Sequence, residues 1–210
     1  ILLGSDWIGD FDETAQLLSQ KLASGLILEK DLRQSVELLA PRLIAERPWQ
    51  FGNEGWGENK GVVDAVAVAP RLSDLAKLDL RVVNEYGATE IIKALSRVDS
   101  HVVRILELSS EALHSLLHQA AELEMIDDDY DTSDYNVPSI EDHDQNEYNN
   151  GLILLVRAIV NAFPKAIISD RDRARALAVQ WQTWPGRLGA RLLLHVVRNT
   201  SAFSADEALQ

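Results

Sequence analysis

The chain has 210 residues, 46% of them hydrophobic and 25% charged, an ordinary globular composition long enough to bury one sizeable core or two small ones. It has no Cys, which excludes disulfides, thiolate metal centres and a cysteine nucleophile and fits a reducing compartment, the cytoplasm by default. The formal net charge of −13 is local: 13 acidic residues and no Lys or Arg lie between Ile105 and Val156, while the remainder holds 20 of each sign.

Helical punctuation recurs along the chain and two-residue alternation is nearly absent, so the pattern predicts an all-α fold. Asp10 and Glu13 are placed to cap a first helix whose stripe is Phe11, Ala15, Leu18 and Leu22 and whose end is near Gly25. A second helix is expected from Lys30 to Glu46, with Leu32, Val36, Leu39 and Leu43 inward and Pro41 kinking or dividing it. Arg47 to Gly61, rich in Gly and carrying Trp49, Phe51 and Trp56, reads as an irregular loop. Val62 to Ala69 is read as helical for want of a nearby pairing partner, and helices are expected at 71–86, 89–97 (Thr89 as N-cap) and 99–107.

Ser110 is expected to cap a further helix lined by Leu113, Leu116, Leu117, Ala120 and Leu123, fading at Met125. The acidic stretch 127–150 lacks helical periodicity and reads as a long loop or insert, so that deleting 127–147 is expected to leave the helical core folded. Helices at 151–163, 170–182 (Ser169 and Asp172 as a capping box) and 187–198 complete the chain, with Trp184, Pro185 and Gly186 turning between the last two. The outcome is a single domain, 1–210: an irregular antiparallel helical array, HEAT-like or a bundle, with one long acidic loop and no fixed repeat period. The absence of an initial Met, and Ser204 and Glu207 at capping-box spacing near the end, are what a piece excised from a larger protein would show.

Several constellations could carry chemistry. Glu111, His114, His118 and Glu122 fall within about 80° of arc on one helix face and form the metal-ligand candidate, giving the alternative of a metal-binding domain or metal-dependent enzyme. The competing reading is a solvated polar face, and neither His-Glu-x-x-His nor a second Glu-x-x-His helix is present. The glycines between Gly55 and Gly61 match neither the dinucleotide nor the phosphate-loop motif. Asp127, Asp129 and Asp131 imitate a calcium loop, but Thr132 stands where Gly is needed and Pro138 where a bidentate Glu is needed. No Gly-x-Ser-x-Gly elbow occurs, and the five His residues sit in no triad motif, so the sequence carries no catalytic signature and calls for no cofactor.

The segment Arg157 to Arg198 inverts the charge, with 8 Lys or Arg against Asp170 and Asp172. Arg187, Arg191 and Arg198 form a narrow stripe with His195 beside it, too narrow for a nucleic-acid surface and suited to carboxylates of the fold or of a flanking domain. Trp49, Phe51 and Trp56 read either as core anchors or as a partner-binding tip. No apolar run approaches the roughly 20 residues of a membrane span. Partners are therefore expected to be flanking domains or another protein, with no nucleic acid and no membrane.

The stretch from Trp181 through Trp184-Pro185-Gly186-Arg187-Leu188, Arg191 and His195, followed by Phe203 to Ala208, resembles helical regions of large multidomain bacterial defence proteins with sirtuin-like or signal-transducing NTPase effectors. The resemblance covers some 30 residues. It implies a sensor or scaffold part, catalysis in an effector domain elsewhere, and an anti-phage role; no effector motif occurs in this sequence.

Overall fold

Leu and Ala recur at helical spacing through most of the chain, and burying those stripes against one another sets the architecture. The structure, a computed structural model, describes residues 6–46, 77–146, 151–198 and 202–204. Over these it is mostly helical, as the periodicity predicts, with one small two-stranded sheet. In order come α1 (Asp6–Ser24), α2 (Glu29–Leu39), β1 (Arg42–Glu46), β2 (Lys77–Arg81), α3 (Glu85–Leu95) and α4 (Val102–Glu122). A short α5 (Thr132–Asn136), a 3-10 turn (Asp144–Asn146), α6 (Ile153–Ser169), α7 (Arg171–Trp181) and α8 (Leu188–Val197) follow. The expected helix at 62–69 lies outside the described residues.

Helix α6 is the centre. Its first turn, Leu152 to Val156, is buried on every side, as an element enclosed by others must be. Helix α4 packs along it, α2 and α7 flank α4, and α1 packs on α3. The helix runs past its expected end at Phe163 and through Pro164 to Ser169, because Phe163, Ala166 and Ile167 keep a buried face that outweighs one missing backbone hydrogen bond.

Other sequence readings are corrected as well. Helix α1 begins at Asp6, so Asp10 and Glu13 lie within it rather than at its cap, while Gly25 ends it with φ +75. Helix α2 stops at Leu39 because Ala40, preceding Pro41, is held extended, and the chain continues as β1 where a helix was expected. Residues 77–81, expected to be helical, form β2, antiparallel to β1 with Leu43 opposite Leu80. Two-residue alternation of Leu78 and Leu80 with Asp79 and Arg81 carries that strand.

Further corrections concern caps. Asn84 caps α3 by accepting from Gly87 N at 2.7 Å, and Thr89 lies inside that helix, bonded to Glu85 O. Residues 102–122 form a single helix: Ser110 is mid-helix and buried, its Oγ accepting from Trp181 Nε1 at 3.2 Å. Asp170, not Ser169, caps α7 through Arg173 N.

Candidate functional site

The acidic segment and the arginine stripe meet. After α4, Glu124 takes a left-handed conformation (φ 57) and closes the helix end, with Met125 N donating to Ala120 O and Glu124 N to Ala121 O. Asp127 Oδ1 then accepts from Asp129 N and Tyr130 N at 2.8 and 2.7 Å, so the calcium-like triplet is spent on a tight turn. Asp131 follows, 6% exposed. Its Oδ1 accepts from Ser133 N at 2.8 Å and its Oδ2 from Arg187 N at 2.7 Å, so one buried carboxylate caps α5 and the start of α8 together.

Arginine completes the join. Arg187 Nη1 meets Asp134 Oδ2 at 2.9 Å, and Arg191 Nη1 meets the same carboxylate at 3.4 Å. Arg191 Nη2 donates to the carbonyls of Val137 and Pro138 at 2.6 and 3.1 Å, which caps the C-terminal end of α5. Arg198 pairs with Glu141 at 2.7 Å on the surface. Asn146 is buried and ties down the backbone of Ser139 and Glu141. The segment from Met125 to Asn146 is thus a strap, with Val137 and Asn146 in the interior and its carboxylates turned to α8 and, through Asp142, to Arg157.

A second ionic chain braces the other side. Arg104 on α4 meets Glu29 of α2 at 2.7 Å and Glu107 at 2.8 Å, and Glu107 meets Arg173 of α7 at 2.7 Å. Burial pushes the Glu107 carboxyl up, but hydrogen bonds from Arg104 and Arg173 outweigh it and hold it below the usual range.

The four metal-ligand candidates all lie on α4. His114 stacks on Trp184, centroids 5.5 Å apart, and lies edge-on to His118 at 4.6 Å. Burial, then the neighbouring His118, holds His114 below its ordinary value. Glu111 and Glu122 are exposed. Among the described residues no group of three or more His, Asp and Glu side chains is placed to hold a metal ion. Trp49, Phe51 and Trp56 lie outside the described residues.

Among the described residues several grooves open at the surface, one of about 370 Å³ beside Asp142 and Arg157, and two others bear on partner binding. One, about 330 Å³, runs between Pro138–Glu141 and the Arg191, Leu194 and Arg198 face of α8. The other, about 480 Å³, lies along α1 and α3. Sequence reasoning placed Asp131 only in the calcium-like triplet and missed its second partner, a backbone donor 56 residues away; the local signal was a capping Asp before Thr132-Ser133.

The chain is similar to an uncharacterized protein, y4cA, of Sinorhizobium fredii (strain NBRC 101917 / NGR234), with 28% identity over 193 residues. The similarity covers 92% of this chain and 15% of that protein, so the chain spans a small part of the relative's length. No family model and no solved structure matches. Among the described residues no helix is long and apolar enough to cross a membrane.

Proposed function

We propose that this is a non-catalytic helical interaction or scaffold module of a larger cytoplasmic bacterial protein, in the anti-phage setting that the resemblance of the Trp181–Ala208 region implies. The observation that carries the reading is the use of the ionisable groups. Asp131, Asp134, Arg187 and Arg191 join the strap to α8, Glu107 joins α4 to α7, and His114 lies against Trp184. These ionisable groups brace helices, which supports a part that acts through its surface. The similarity to one stretch of a much longer protein supports a part that works beside other domains.

The test uses the longer polypeptide. Its neighbouring segments, expressed separately, should bind the module in calorimetry, and changing Trp49, Phe51 and Trp56 together to Ala should weaken that binding. No heat with any neighbouring segment would overturn the reading, and unchanged affinity in the triple variant would remove the aromatic loop from it. The arginine stripe enters only through Arg198, whose pairing with Glu141 is solvent-exposed and open to exchange.

A further inference from the structure

The groove of about 480 Å³ along α1 and α3 exists because its floor is small. Ala15 and Gly87 bring the two helices close: a Cβ on Gly87 would stand 2.9 Å from that of Ala15. Ser19 and Ala23 continue the floor along α1. The Ser19 hydroxyl is itself shut off from solvent, so the groove meets that residue through its other atoms. Tyr86 borders it and is 75% exposed, an aromatic side chain open to solvent at the groove's edge. Asp12 and Glu90 also line it, and the cation that meets Glu90, Lys93, does so in an exposed pair that exchanges at small cost.

We propose that this groove binds an arginine-bearing peptide segment of a protein partner. The aliphatic stem of the arginine lies along Ala23 and its guanidinium plane on Tyr86, where cation and ring face attract. Its fork of donors serves Asp12, sharing it with the exposed hydrogen bond from Asn84 Nδ2 at 2.6 Å, and Glu90, two carboxylates that a single point charge would satisfy less well. The carboxylates of Asp12 and Glu90 give the groove the charge that complements such a segment. The inference rests on the interaction-module reading and names the partner chemistry for it.

The test is a titration of the isotope-labelled chain with the capped peptide Ala-Ala-Arg-Ala-Ala, followed by amide shifts, with Lys, Gln and Glu at the centre as comparisons. The Arg peptide should give saturable shifts confined to residues 12–23 and 86–90, with weaker binding for Lys and none for Gln or Glu. Tyr86→Ala, at an exposed ring, should weaken the Arg peptide about threefold to fivefold. Ala23→Phe, which fills the groove from an exposed position, should abolish binding while leaving the helical spectrum unchanged. Shifts spread over the acidic strap, equal binding of the Gln peptide, or indifference to both variants would overturn the proposal. Binding of the neighbouring segments that survives Ala23→Phe would sink this groove alone, whereas loss of all association would sink the module reading with it.

Discussion

Replacing Asp131 by Ala removes two helix caps with one side chain. The carboxylate is 6% exposed and accepts from Ser133 N and Arg187 N, so its loss strands two backbone donors where water has little access. A helix cap is worth about 1 kcal/mol and a stranded buried donor costs about 1–3 kcal/mol, which sets the expected loss at about 2–4 kcal/mol. Asp131→Asn keeps one carbonyl acceptor and turns an amide N–H toward the other donor, so it should lose about half as much. Urea unfolding with tryptophan fluorescence measures both: the midpoint should fall at unchanged slope, in the order wild type, Asn, Ala. The loss should also persist in high salt, because hydrogen bonds in a sheltered site are screened far less than surface pairs. An Ala variant within about 0.5 kcal/mol of wild type would refute the two-helix cap.

Other substitutions separate the remaining contributions. Arg198→Ala breaks a pair exposed at both ends and should shift stability by no more than about 0.5 kcal/mol in the same unfolding assay. Glu124→Gly relieves a left-handed conformation that costs an L-residue about 1–2 kcal/mol, and a rise in melting temperature is expected. Ser109 is fully buried with Oγ unpartnered, so Ser109→Ala should stabilise as well, read by the same melt. Glu107 titrates lower folded than unfolded, so the stability it adds is complete above its ordinary 4.5 and declines as pH falls through its lowered folded value; Glu107→Gln should flatten that acid limb. His114 likewise should titrate below 6.5 by NMR, with stability lost as pH falls through its folded value, and zinc titration should give a flat calorimetric trace. A stoichiometric zinc exotherm would favour the Glu111, His114, His118 and Glu122 alternative instead.

What was legible in the sequence was local. The stripes of α1 and α2 and the turn at Gly186 declare themselves over a few residues, and the helices stand close to where periodicity puts them. What was not legible depended on partners far along the chain. Strand β1 pairs with β2 more than 30 residues on, so a search for neighbouring partners misses both. Ser110 looked like a cap because its hydroxyl needs a partner, and the partner is Trp181 Nε1, 71 residues away. The acidic stretch read as a solvated loop because its Asp and Asn content defeats helical periodicity, yet those same side chains secure it: Asp127 closes a turn, Asp131 caps two helices, Asn146 holds the returning backbone. Charge without periodicity marked a segment bonded through side chains. For the same reason, deletion of 127–146 should cost cooperative unfolding, where the sequence alone suggested an intact core.

The claim beneath all of these is that the acidic and arginine groups hold the fold together. Hydrogen exchange on the intact chain, followed at the backbone amides of Ser133 and Arg187, tests it most directly. Both amides should be protected and should lose that protection together in Asp131→Ala, while amides at the centre of α6 keep theirs. Exchange of Ser133 and Arg187 at the rate of an open loop in the unaltered protein would contradict the account.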